Sequence, residues 1–91
     1  MLVAPAGGIT LHIARDVRPE DQALMVEALP AVPVASVDLY VDGALLARVQ
    51  AGPYRRRWPL QPGVHEVRAR AVMPDGNEVW SEAATVTVLP P

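Results

Sequence analysis

Cysteine, phenylalanine and lysine are all missing from this 91-residue chain, whose eight basic residues are every one arginine. Without cysteine there is no disulfide framework, no thiolate zinc site and no thiol nucleophile. The absence of lysine removes more chemistry. Walker-type phosphate loops, Ser-Lys dyads, S-x-x-K acylation motifs and Schiff bases all need its amine. Large rings are scarce, with Trp 2 and Tyr 2, so two indoles must do most of the large-volume packing. No apolar run is long enough for a transmembrane helix, and no charged-then-apolar opening segment reads as a signal peptide. A formal charge of -2 gives no basic footprint for nucleic acid at the level of the whole domain.

What remains is 51% hydrophobic, built from Ala, Val and Leu and punctuated by Pro 10 and Gly 6. That is apolar enough to fold, and the length suits one small domain over residues 1–91. It is too short to hold both a deep cleft and a large core. Strand periodicity recurs between turn signals. Ile9, Leu11 and Ile13 alternate with Thr10, His12 and Ala14, and the polar, Pro19-containing segment from Arg15 to Gln22 reads as a loop. Gln22 to Leu29 reads as a strand, because it is short for a helix and Pro30 and Pro33 follow. Val37, Leu39 and Val41 share a face opposite Asp38, Tyr40 and Asp42, and Asp42-Gly43 supplies a tight hairpin turn before the return from Ala44 to Gln50.

Tyr54 to Trp58 forms a short strand. Val64 to Met73 alternates, with Val67, Ala69 and Ala71 inward. Pro74-Asp75-Gly76-Asn77 makes a turn, and Glu78 to Leu89 is expected as one last strand with Ala84, Val86 and Val88 inward. Short strands at this spacing imply a two-sheet sandwich, with the small inward alanines letting the sheets approach closely.

Catalytic inventories are thin. Ser36, Ser81, His12 and His65 are the only serines and histidines, and no G-x-S-x-G elbow is present. His65 sits at a strand-entry corner, where its ring N–H is expected to bond a backbone carbonyl. His12 and Asp16 have ligand spacing only on a helix. Asp75, Asn77 and Glu78 are hard-oxygen candidates for calcium, yet Asp-Gly-Asn is what a tight turn demands. The unusual run is Arg55-Arg56-Arg57 between Tyr54 and Trp58. Alternation puts Tyr54, Arg56 and Trp58 on one side, and Arg55 and Arg57 on the other. Either Trp58 fills the core while the arginines cover apolar surface and pair with acidic neighbours, or guanidinium forks and rings make a platform for anions or glycans. Tyr40, Arg55, Arg57 and Trp80 are the candidate ligand or partner surface.

Three stretches carry a resemblance. Val37-Asp38-Leu39-Tyr40-Val41-Asp42-Gly43-Ala44-Leu45-Leu46 resembles the v-x-w-x-v-D-G-x-x-l hairpin of bacterial immunoglobulin-like domains. Gly52-Pro53-Tyr54, Trp58 and Pro62-Gly63-Val64-His65 follow the same family's x-P-Y…W…x-G-x-H run, and Asp75-Gly76-Asn77, Ser81 and Thr85-Val86-Thr87-Val88 are similar to its final hairpin. The start, with Pro5-Ala6-Gly7-Gly8 and then Pro19, Gln22-Ala23-Leu24 and Ala28, resembles the C-terminal domain of penicillin-binding proteins of the 1C type. Gly7 stands where that family usually has Asp, and Leu39 where Trp is common.

The resemblance implies an all-β, immunoglobulin-like or fibronectin III-like sandwich of about seven antiparallel strands. It further implies a non-catalytic accessory, spacer or protein-interaction domain, a piece of a larger protein of the bacterial cell envelope that builds peptidoglycan. The expected location is extracytoplasmic. The expected partners are neighbouring domains of the parent chain, and peptidoglycan or another periplasmic protein, with no nucleic acid, no direct membrane insertion, no cofactor and no metal. A carbohydrate-binding module is the alternative.

Overall fold

Apolar residues at every second position favour pleated strands, because one face of each strand then carries a continuous apolar row. The computed structural model describes residues 1–91, the side chain of Leu2 excepted. Its strands are β1 (Leu2–Ala4), β2 (Ile9–His12), β3 (Ala23–Leu29), β4 (Ser36–Val41), β5 (Ala44–Val49), β6 (Tyr54–Pro59), β7 (Gly63–Val72), β8 (Glu78–Trp80) and β9 (Ala84–Leu89). A smaller sheet has the order β1-β3-β6; the larger runs β2-β9-β7-β4-β5, with β8 also paired to β7.

Two expectations are corrected here. The stretch from Glu78 to Leu89 is not one strand: it breaks at Ser81–Ala83 into β8 and β9, both paired to β7. Nor is every pairing antiparallel, because β2 runs parallel to β9, with Ile9 opposite Val86 and His12 opposite Leu89. The cause lies at Pro5–Gly8. β1 pairs with β3 in the smaller sheet; the chain then turns through Gly8, at φ 85, and crosses to the larger one. The Gly8 N–H donates to the Thr85 carbonyl at 2.9 Å and opens the new ladder. β8 and β9 pair in turn along the same strand, β7, while β1 and β2 divide the opening segment between the two sheets.

Other local readings hold. Asp42 at φ 54 and Gly43 at φ 79 give the two left-handed positions of the β4–β5 turn. In the loop from Arg15, a single 3-10 turn covers Pro19–Asp21. Gln22 closes that loop with its amide, accepting from the Ala14 N–H at 2.7 Å and donating to the carbonyls of Ala14 and Val17.

The core is the inner face of both sheets. Val37, Leu39 and Val41 stand opposite Ala71, Ala69 and Val67, and all are buried. Val86, Val88 and Ala84 extend this layer; Val26, Ala28 and Trp58 face it from the smaller sheet. Trp58 is the largest side chain of this core and is 7% exposed.

The result is a rod of 47 × 21 × 20 Å. Its longest strand is β7, whose ten residues span about 33 Å at the usual strand rise. Met1 shares a groove with Ala71 and Met73 at one end of β7. Val88 pairs with Gly63 at the other end. The two chain ends therefore leave from opposite poles.

Candidate functional site

Outward positions of the larger sheet carry most of the charge and ring chemistry. One cross-strand row reads Trp80 on β8, Arg70 on β7, Asp38 on β4 and Arg48 on β5, each directly opposite the next. The Asp38 side chain is 0% exposed although it points away from the core, because two guanidinium groups lie over it. Arg48 donates from Nε to Oδ1 at 2.7 Å and from Nη2 to Oδ2 at 3.2 Å. Arg70 donates to Oδ2 from Nε at 3.1 Å and from Nη2 at 2.6 Å. The Arg48 hydrogen bonds, helped by those from Arg70, outweigh burial and hold the Asp38 carboxyl below its ordinary value. Glu78 adds a looser contact to Arg70 at 3.7 Å.

Beside this row stand the rings. The Tyr40 and Trp80 centroids are 5.3 Å apart at a tilt of 40°. Arg68 covers Trp80 at 4.8 Å from the centroid, and Arg70 lies 5.5 Å from Trp80 and 5.8 Å from Tyr40. Arg68 is itself held by donating from Nε to the Ser81 carbonyl at 3.1 Å. Trp80 keeps 44% of its surface exposed. A half-open indole with ordered guanidinium groups around it can stack against a flat or C–H-rich ligand face and bond anionic oxygens.

Sequence reasoning proposed Tyr40, Trp80, Arg55 and Arg57 together, and the fold divides them. Tyr40 and Trp80 meet on the outer face of the larger sheet. Arg55 and Arg57 sit on β6, opposite Glu27 and Met25 of β3, in the smaller sheet. They belong to the other side of the sandwich. The expected pairing of the arginine run with acidic neighbours is also corrected: among the described residues no ion pair involves Arg55, Arg56 or Arg57. On β3, the one strand beside β6, Glu27 is the single acidic residue in the register, opposite Arg55, and the two do not form an ion pair. Asp38, Arg48 and Arg70 were missed as a unit. The alternating charges were visible, but partners 10 and 32 residues apart meet only once the strand order is known.

A second polar constellation lies at the pole where the chain leaves. His65 Nδ1 is 2.6 Å from Asp42 Oδ2 and Nε2 is 2.8 Å from the Gln61 carbonyl. The carbonyl bond is the corner contact expected of His65; the Asp42 bond is new. Both partners are acceptors, so the protonated ring, donating from both nitrogens, is the form that satisfies both contacts. Its edge meets Trp58 at a centroid distance of 4.7 Å. The hydrogen bond to Asp42 outweighs burial and raises the His65 pKa above 6.5. Asp42 is opposed by burial but lowered overall by His65 and the Glu66 amide. The Glu66 N–H donates to Asp42 Oδ1 at 2.8 Å.

The sign for stability follows. A raised histidine stabilises fully below its unfolded pKa and loses that contribution as pH rises through the folded one. The lowered Asp42 contributes above 3.8 and is lost as pH falls through its folded value. The clamp is therefore strongest in mildly acidic solution. Asp42→Asn keeps a residue that tolerates φ above zero while removing the carboxylate. A proton titration of His65 by NMR is expected to fall toward the ordinary imidazole range in this variant, and its stability is expected to lose the decline that the parent shows as pH rises through the folded His65 pKa.

The remaining candidates are used structurally. Ser81 Oγ accepts from the Ala69 N–H at 2.9 Å and donates to the Glu82 carbonyl at 3.0 Å. Both Asp75 carboxylate oxygens accept from Asn77, from its backbone N–H at 3.0 Å and its side-chain amide at 2.9 Å, closing the turn. No serine is joined to a His–Asp pair among the described hydrogen bonds. An open groove of about 540 Å³ runs between Met1, Val3 and Gly7 on one side and Trp80, Ser81 and Glu82 on the other.

No family model matches the sequence. No curated protein matches it either. Among solved structures the chain is similar to the fibronectin(III)-like modules of Clostridium thermocellum CbhA, with a TM-score of 0.76 and 20% identity over 97% of this chain and 96% of that one. A likeness at that identity is one of fold, and it agrees with the strand order: the chain is a fibronectin III-like, immunoglobulin-like β-sandwich.

Proposed function

We propose that this chain is a non-catalytic accessory module that spaces and orients neighbouring domains of a larger bacterial envelope protein. The observation that carries this reading is the placement of the chain ends: Met1 at the Ala71–Met73 pole and Val88 at the Gly63 pole of a rod 47 Å long. Domains joined to such ends are held apart by a stiff body, since a two-sheet core shortens far less easily than a flexible linker. The similarity to fibronectin(III)-like modules of a bacterial protein supports the same reading. The parent we favour, on the opening segment Pro5-Ala6-Gly7-Gly8 with Pro19, Gln22-Ala23-Leu24 and Ala28, is a penicillin-binding protein of the 1C type, which would put the module outside the cytoplasmic membrane, beside peptidoglycan.

A second reading, a carbohydrate-binding module, is favoured by one observation: Tyr40 and Trp80 meet at 5.3 Å on an open face. Titration with peptidoglycan strands, followed by tryptophan fluorescence and amide shifts, separates the two. The spacer reading expects unchanged spectra at millimolar glycan. Saturable shifts at Tyr40 and Trp80, abolished by Trp80→Ala, would replace it with the second.

A further inference from the structure

β6 closes the smaller sheet at an open edge, and its three consecutive arginines, Arg55, Arg56 and Arg57, are all exposed. Of the five arginines outside β6, four are engaged: Arg48 and Arg70 on Asp38, Arg68 on the Ser81 carbonyl and Arg18 on Asp21; Arg15, like the β6 arginines, makes no ion pair among the described residues. The β6 arginines make no ion pair among the described residues, even though Glu27 stands directly opposite Arg55. On a chain of net charge -2, this is a local excess of unneutralised positive charge. Its geometry is also ordered. Arg55 and Arg57 share the outer face at a spacing of about 7 Å, two residues of strand. Beside them the edge has no strand on that side and offers backbone groups to a partner, the Arg55 N–H excepted, which donates to the Pro53 carbonyl at 3.2 Å.

We propose that β6 receives an extended acidic peptide as an added strand of the smaller sheet, with carboxylates two residues apart paired to Arg55 and Arg57. Backbone ladder bonds supply the docking, and period-two side chains supply the selection. An acidic segment with its carboxylates on adjacent residues would put them on opposite faces and reach one arginine row only. Pro53 and Pro59 bound the edge, so the partner segment is short. The proposal rests on reading the chain as an accessory module and names a partner for it; the spacer geometry does not depend on its outcome.

The test is titration of the whole chain with a synthetic hexapeptide of alternating Glu and Val, followed by amide shifts. The control is a peptide of the same composition with its glutamates adjacent. Shifts confined to β6 and β3, weakened by salt and about tenfold weaker in Arg55→Gln/Arg57→Gln, are expected, as losing two exposed ion pairs predicts. Near-UV dichroism of the buried Trp58 checks that the variant is folded. Equal affinity for both peptides, or for heparin fragments or phosphatidylglycerol vesicles, would overturn the proposal in favour of unspecific polyanion attraction. No peptide binding, together with self-association of Arg56→Val, would overturn it in favour of a charged guard on the open edge.

Discussion

Trp58→Ala is expected to destabilise the chain by about 3–5 kcal/mol, the range for truncating a buried aromatic side chain. The indole is 7% exposed and is the largest side chain that the smaller sheet contributes to the core. It stands opposite Leu24 in the register and carries the edge contact to His65. The inner face it packs into is lined largely by Val and Ala, side chains too small to fill the space it leaves. For a domain of this size the whole stability is about 5–14 kcal/mol, so the variant is expected to unfold at a much lower urea concentration. Trp80→Ala is the matched control. With 44% of Trp80 already exposed, its loss removes mainly the stacking with Arg68 and Tyr40, worth about 1–2 kcal/mol in all. Urea melts of both variants, read by far-UV dichroism, check the contrast; the reverse order of severity would put the core on the wrong side of the larger sheet.

Asp38→Asn is the other large effect, expected to cost about 2–3 kcal/mol. Removing one partner of a fully buried ion pair costs about 3–5 kcal/mol, and this site falls below that because water reaches part of the cluster: the Arg48 side chain is 55% exposed and Arg70 21%. The asparagine leaves two guanidinium groups facing one neutral amide. Arg48→Met is expected to cost less, because Arg70 still neutralises Asp38 and the methionine stem still covers the strand. A double-mutant cycle over Asp38 and Arg70 isolates the pair. Acid behaviour gives a second readout. Asp38 is lowered, so its contribution is present above 3.8 and lost as pH falls through the folded value. The parent is expected to weaken in that window and Asp38→Asn to weaken less.

Much of the fold was legible from alternation alone. Val37, Leu39 and Val41, and Val67, Ala69 and Ala71, were readable as inward faces because their strands are long enough for period two to show. Asp42-Gly43 announced its turn, and Trp58 was expected in the core. β1 was not readable: Leu2–Ala4 is three residues, too short for a pattern, and its register comes from β3. Alternation assigns a face and never a neighbour, which is why the parallel β2–β9 pairing and the break at Ser81–Ala83 escaped it. The site shows the same limit. Tyr40 and Trp80 were separately identifiable as ring candidates, yet their contact passes across β7, and Arg55 and Arg57 proved to lie on the opposite sheet. Asp38 read as one more outward polar residue; its burial comes from Arg48 and Arg70, which reach it from the strands on either side.

Because the chain has no cysteine, one placed ahead of Met1 and another after Pro91 can be spin-labelled uniquely. Pulsed dipolar spectroscopy then gives the distance between the chain ends. A rigid module with its ends at opposite poles gives a single narrow distribution near the 47 Å long axis, unchanged by mild denaturant until the cooperative transition. A short distance, or a broad distribution in native buffer, would mean that the ends lie together or move freely, and the spacer function would fail.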